Sequence, residues 1–213
     1  MRLKLAREGL PLVYGLAAVT LVLNLLGWWW VGLVGLVLTF AVAAFFRDPE
    51  RDVPEDGNLV VSPADGRIVS IAVDVSPEGF PGERSQRVSI FMSPLNVHVN
   101  RVPASGRVLS VRHTPGKFLA AFSDRASAEN ERNEVALRDS AGRLLVFTQI
   151  AGWLARRIVC HLSPGERVVQ GSRYGLIMFG SRVDVYLPPT ASLRVRLGDR
   201  VRAGADVLGE LST

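Results

Sequence analysis

Three histidines, one cysteine and the Gly-Ser pair at 180–181 decide which chemistries are open to this chain of 213 residues. His98, His113 and His161 fall into no HExxH or related zinc pattern. Cys160 is the single cysteine, so neither an intramolecular disulfide nor a Cys-based metal site can be built; beside Val159 it reads as a buried core thiol. The motifs GxSxG, GxGxxG and the phosphate-binding P-loop do not occur, which leaves ordinary hydrolase, dehydrogenase and kinase chemistry without a starting residue. What remains is Gly180-Ser181, inside GSRYGLIMFGSRVDVYLP (171–188) and between two strand-like runs. Taken alone, such a pair is a hairpin turn.

The elements that must position these residues read as short strands. Runs rich in β-branched residues, separated by Gly/Pro turns, cover 59–74, 87–93, 97–102, 106–113, 134–139, 142–152, 156–162, 174–180, 182–188 and 192–197. Regular short strands of this kind predict a mainly β sandwich or barrel. PGKFLAAFSDRASAENERN (115–133) breaks the pattern and is expected to be a short helix or a long loop. Two segments repeat: PADGRIVSI (63–71) resembles PASGRVLSV (103–111), and GERVVQG (165–171) resembles GDRVRAG (198–204). These turn signatures are similar to those of lipoyl/biotinyl-like barrel-sandwich hybrids, so a pseudo-symmetric β sandwich of that kind is expected.

The N-terminus is different in kind. Residues 9–46 carry no charge. As helix they would span about 57 Å, too long for one crossing of a hydrocarbon core about 30 Å thick and enough for two short ones. Asn24, Gly27 and Trp28-Trp29-Trp30 lie near the midpoint, which suits a turn at a membrane–water interface. Arg2, Lys4 and Arg7 precede the run and Arg47 and Arg51 follow it, so both ends are expected on the cytoplasmic side of the cell membrane. The run is too long for a secretory signal. The expected organisation is a transmembrane helical hairpin over 1–46 and a β domain over 47–213. That domain holds 22 basic and 19 acidic residues, a bias that suits anionic lipid headgroups and is too weak for nucleic acid.

Gly180-Ser181 gains its meaning from its setting. The segment 171–188, together with SPADGRI (62–68), FMSPLNVHVNRVP (91–103), ENERN (129–133) and QIAGWLARRIVC (149–160), resembles the short bacterial and archaeal phosphatidylserine decarboxylases. The resemblance covers nearly all of 47–213. It implies decarboxylation of phosphatidylserine to phosphatidylethanolamine in phospholipid biosynthesis, and self-cleavage between Gly180 and Ser181 into chains of residues 1–180 and 181–213. It also implies a pyruvoyl group made from Ser181 that forms a Schiff base with the substrate amine, with no metal and no pyridoxal phosphate. Decarboxylating an amino acid leaves negative charge on Cα, and the ketone is the electron sink that ordinary side chains lack. By the same resemblance Asp65 and His98 act with Ser181 in the manner of a triad, and His98 can return a proton to Cα.

Longer relatives carry His-x-x-His where this chain has His98-Val99-Asn100-Arg101, and they cleave within Leu-Gly-Ser-Thr where it has Phe179-Gly180-Ser181-Arg182. Arg101 is therefore a candidate for the substrate carboxylate or phosphate. Lys117, Arg125 and Arg132 are candidate phosphate contacts, and Phe118, Leu119 and Phe122 are candidates for dipping into the bilayer. Expected partners are phosphatidylserine, anionic lipid and the two cleavage chains themselves, with higher oligomers open. Two other readings compete: a membrane-anchored adaptor or carrier with a lipoyl-like domain, which lacks a modifiable Lys at its hairpin tip, and a hydrolase with Ser181, His98 and Asp65 as a static triad.

Overall fold

Uncharged apolar runs become helices, and alternating ones become strands. The computed structural model describes residues 4–117, 119, 129–152, 157–178 and 181–212, and it divides into units 1–50 and 51–213. In the first unit a 3-10 turn (Arg7–Gly9) leads into α1 (Leu10–Leu25), and α2 (Trp29–Phe45) follows a turn with Gly27 at φ 82°. Pro11 sits in the first turn of α1, where its missing N–H costs nothing. The segment Arg7–Leu25 is long and apolar enough to cross a membrane; Trp29–Phe45 is shorter.

Glycines mark where the two helices touch. A β-carbon at Gly32 would lie 2.2 Å from Asn24 Nδ2, one at Gly35 2.5 Å from Thr20 Oγ1, and one at Gly9 2.2 Å from the Phe46 ring. The descending pairing of 24 with 32, 20 with 35 and 9 with 46 makes the helices antiparallel. Thr20 donates to Leu16 O, Asn24 to Thr20 O and Thr39 to Gly35 O, so these polar side chains are satisfied within their own helices. Trp28, Trp29 and Trp30 are 61%, 74% and 84% exposed at the turn.

The second unit is mainly β. Its strands are β1 (Leu59–Val61), β2 (Gly66–Val75), β3 (Ser85–Met92), β4 (Val99–Arg101), β5 (Gly106–Thr114), β6 (Arg132–Arg138), β7 (Leu144–Ile150), β8 (Ile158–Cys160), β9 (Arg167–Val168), β10 (Arg173–Ile177), β11 (Ser181–Leu187), β12 (Ser192–Leu193), β13 (Arg200–Val201) and β14 (Val207–Glu210). Eight form an antiparallel sheet in the order β13-β2-β3-β11-β7-β6-β5-β9, curled into a half-barrel. Two three-stranded sheets, β1-β14-β12 and β4-β10-β8, accompany it. Val183, Val185 and Leu187 of β11 alternate into a core shared with Val88, Ile90, Val135, Leu137 and Phe147. Ser181 has the same parity; Arg182 and Asp184 face the other way.

The repeats seen in the sequence are one structural unit used twice. β13 pairs with β2 through Val201 and Gly66, and β9 pairs with β5 through Val168 and Gly106. Ile68 exchanges backbone hydrogen bonds with Asp199 and Gly198, as Val108 does with Glu166 and Gly165. Gly204 donates to Ser62 O and Gly171 to Val102 O. Both long strands shift register at the same place, Ile68/Ser70 and Val108/Ser110. The glycines after Asp65 and Ser105 are required by close approach: a β-carbon would stand 2.2 Å from Phe91 O at Gly66 and 2.4 Å from Arg138 O at Gly106. Most of 115–133 lies outside the described residues; Lys117 bridges to Asn130, whose amide ties Leu119 O to Ala151 O.

Candidate active site

Ser181 is the first residue of β11, which is hydrogen-bonded to β3 on one side and β7 on the other. β10 and β11 do not pair with each other. The preceding strand, β10, belongs to the other sheet and pairs with β4 and β8, so the chain passes from one sheet to another between Met178 and Ser181. Gly180 lies outside the described residues. Ser181 is fully buried opposite Met92, and its Oγ donates to Met92 Sδ at 3.3 Å.

The turn that follows Met92 delivers His98. Asn96 Oδ1 accepts from Ser93 N at 2.9 Å and Ser93 Oγ at 2.7 Å, closing the Ser93-Pro94-Leu95-Asn96 turn. His98 is 2% exposed, and its Nδ1 is 3.0 Å from Asn96 O. A carbonyl oxygen only accepts, so Nδ1 carries a proton and the lone pair of a neutral ring is on Nε2. Leu176 pairs with Val99, so the same register continued one residue sets His98 opposite Ile177, three residues before Gly180.

Asp65 ends the Ser62–Asp65 turn, in which Ser62 Oγ donates to Ala64 O at 2.7 Å. Its carboxylate accepts from Arg51 Nη2 and from Ala203 N, each at 2.8 Å, and is largely buried. Asp65, His98 and Ser181 therefore lie on segments that meet, while their described hydrogen bonds run to Arg51 and Ala203, to Asn96, and to Met92.

What joins these segments is a chain of buried amides that sequence reasoning did not single out. Asn100 Nδ2 donates to Pro63 O at 3.4 Å and to Met92 Sδ at 3.8 Å, and Asn100 Oδ1 accepts from Gln149 Nε2 at 3.0 Å. Gln149 also donates to Val159 O at 3.2 Å and accepts from Asn133 Nδ2 at 3.3 Å. Asn100, Gln149 and Asn133 all stand inside quoted motifs, but a buried amide leaves no spacing signal of its own.

The candidate substrate contacts are dispersed. Arg101 is buried, with Nη1 donating to Gly171 O at 2.9 Å and its Cδ 2.7 Å from where a β-carbon at Gly204 would stand; it ties the two repeated turns together. Arg132 is buried, donates to Asn130 O and forms an ion pair with Glu78. Lys117 is exposed and 3.0 Å from Glu129. Arg125, Phe118 and Phe122 lie outside the described residues.

On the outer face of β11, buried Arg182 binds Asp184 through Nε at 2.6 Å and Nη2 at 3.2 Å, and its Nη2 also reaches Ser89 Oγ at 2.7 Å. Burial raises the Glu134 carboxyl above its ordinary range, opposed by Arg112, and raises the Tyr174 phenol well above 10. Burial also raises the Cys160 thiol. No cluster of three His, Cys, Asp or Glu that could hold a metal occurs among the described residues.

A buried serine opening a central strand, with a histidine whose lone pair is on Nε2 and a carboxylate on adjoining segments, can supply a nucleophile and a base. Comparison with known proteins bears on which reaction they serve. A family model described as "Phosphatidylserine decarboxylase" matches residues 38–209. A protein of Ralstonia pickettii (strain 12J) named "Phosphatidylserine decarboxylase proenzyme" is 48% identical over 210 residues, covering 97% of this chain and 95% of that protein. One of the same name from Geotalea uraniireducens (strain Rf4) is 48% identical over 207 residues, covering 97% and 96%. Another, from Geobacter metallireducens, is 44% identical over 212 residues, covering 97% and 96%.

Proposed function

The chain belongs to the phosphatidylserine decarboxylase family, and from that premise we propose that it is a proenzyme that cuts itself between Gly180 and Ser181 and then decarboxylates phosphatidylserine. The observation that carries this reading is the position of Ser181: fully buried, first in a central strand and directly after a crossing between sheets. β11 is zipped on both sides from Arg182 onward, so the bond before Ser181 sits at the boundary of a clamped strand.

Ser181 Oγ leaves Met92 Sδ, gives its proton to His98 Nε2 and attacks the Gly180 carbonyl carbon. The amide becomes an ester. Loss of the Cα proton of residue 181 expels the Gly180 carboxylate and leaves dehydroalanine. One water then replaces nitrogen, ammonia leaves, and a ketone stands at the N-terminus of residues 181–213. When present, that pyruvoyl group supplies the electron sink for the charge left as carbon dioxide departs. The residues suit it: Met92 and the Arg182–Asp184–Ser89 cluster hold the strand end from both faces. His98 holds the proton to be delivered to the substrate Cα. Asp65 anchors its segment to Arg51 and Ala203.

The N-terminal unit is the membrane anchor in this reading. α1 and α2 form a hairpin in the bilayer, with Trp28–Trp30 at the far interface and the catalytic domain on the cytoplasmic side, where anionic headgroups meet its mild positive charge.

Intact mass of the purified protein tests the proposal. Chains of residues 1–180 and 181–213, the shorter with a ketone in place of the serine amine, are expected, and Ser181→Ala stays whole. An uncut wild-type chain from fresh membranes would sink it.

A further inference from the structure

We propose that Asn100 is a positioning residue for the chemistry at Ser181, a role that rests on the reading of Ser181 as the attacking group. Asn100 is fully buried and touches each segment that matters. Its Nδ2 reaches Pro63 O, two residues before Asp65, and Met92 Sδ, the same sulfur that accepts the Ser181 hydroxyl. It sits two residues after His98, which places the two on one face of the strand line. Its Oδ1 is held by Gln149, which Asn133 and Val159 orient in turn.

This arrangement fixes which end of the amide is which. Exchanging oxygen and nitrogen in Asn100 would set its NH2 against the Gln149 NH2 and its oxygen against the Pro63 oxygen and the Met92 sulfur. The amide is thus locked as donor toward Pro63 and Met92. A side chain that served only to fill space would not need that polarity. Displacement of Met92 moves the Ser181 hydroxyl, and displacement of Pro63 moves the Asp65 turn. Misplacements of about 1 Å at a reacting centre cost about 100-fold in rate.

Asn100→Asp keeps the shape and the acceptor for Gln149 but turns both donors into acceptors. Met92→Leu keeps volume and removes the shared sulfur. Each full-length precursor is followed by intact mass as it splits into 1–180 and 181–213, and each is melted in a Ser181→Ala background, where cutting does not interfere. The matured fraction is then assayed on phosphatidylserine vesicles. Folded Asn100→Asp is expected to split about 100-fold more slowly and its matured fraction to lose kcat with KM unchanged; Met92→Leu is expected to split about fivefold more slowly. A purely structural role would instead let splitting track the folded fraction and leave kcat intact. Folded Asn100→Asp that splits at the wild-type rate overturns the proposal. If Asn100→Asp does not fold, Met92→Leu splitting at the wild-type rate overturns it. A wild-type chain that never splits defeats the reading of Ser181 itself and is told apart by that control.

Discussion

His98 shows how much a single hydrogen bond decides. The Asn96 carbonyl holds the proton on Nδ1, so the lone pair of the neutral ring is on Nε2. His98→Gln keeps a polar side chain of similar reach but cannot take up a proton. Splitting is expected to slow by about 10²–10⁴-fold, measured by mass on freshly made precursor; splitting at the wild-type rate would place the base elsewhere. His98 and Ser181 could be picked out of the sequence because their motifs resemble a family's, and both prove buried on adjoining segments. Arg101 shows a tie that the sequence did not announce. It stands where longer relatives carry a second histidine, which made it a candidate substrate contact, and its guanidinium donates to Gly171 O between two glycine turns. Long-range ties of that kind, 70 residues apart in the chain, leave no mark in local spacing.

Elements explain why the repeats were legible. Identical glycine needs at Gly66 and Gly106 write identical letters, since both sit where a strand crosses a neighbour's carbonyl too closely for a β-carbon. Gly66→Ala and Gly106→Ala should therefore destabilise by similar amounts, about 1–3 kcal/mol each, read from thermal melts; a large difference would mean that the two halves are not equivalent. Two carboxylates on different elements give the domain opposite pH slopes. Asp206 is lowered by its hydrogen bond to Arg202, so its contribution is present above about pH 3.8 and is lost as pH falls through its lower folded value. Glu134 is raised chiefly by burial, so its contribution is full below about pH 4.5 and is lost as pH rises through its higher folded value. In urea titrations across pH, Asp206→Asn should flatten the acid limb and Glu134→Gln the limb above it. Unchanged limbs would remove these groups as the cause.

At the scale of the molecule, the 33 residues that follow the proposed cut between Gly180 and Ser181 supply β11, β12, β13 and β14. β11 lies between β3 and β7, and β14 between β1 and β12. The two cleavage products should therefore co-elute in gel filtration and part only in denaturant; separation under native conditions would contradict this interleaving. Refolding of the cut protein should depend on concentration, whereas the uncut Ser181→Ala chain refolds independently of it. That same placement sets an order of events. Ser181 meets Met92 only after β11 has zipped between strands made some 90 and 30 residues earlier, so the sheet has to close before the serine is in position to react. Under the proposed self-cleavage, a chain that misfolds keeps an ordinary serine and never arms itself. The cut then works as an inspection stamp, given once, to molecules that have already assembled correctly, and one that a denatured enzyme cannot obtain a second time.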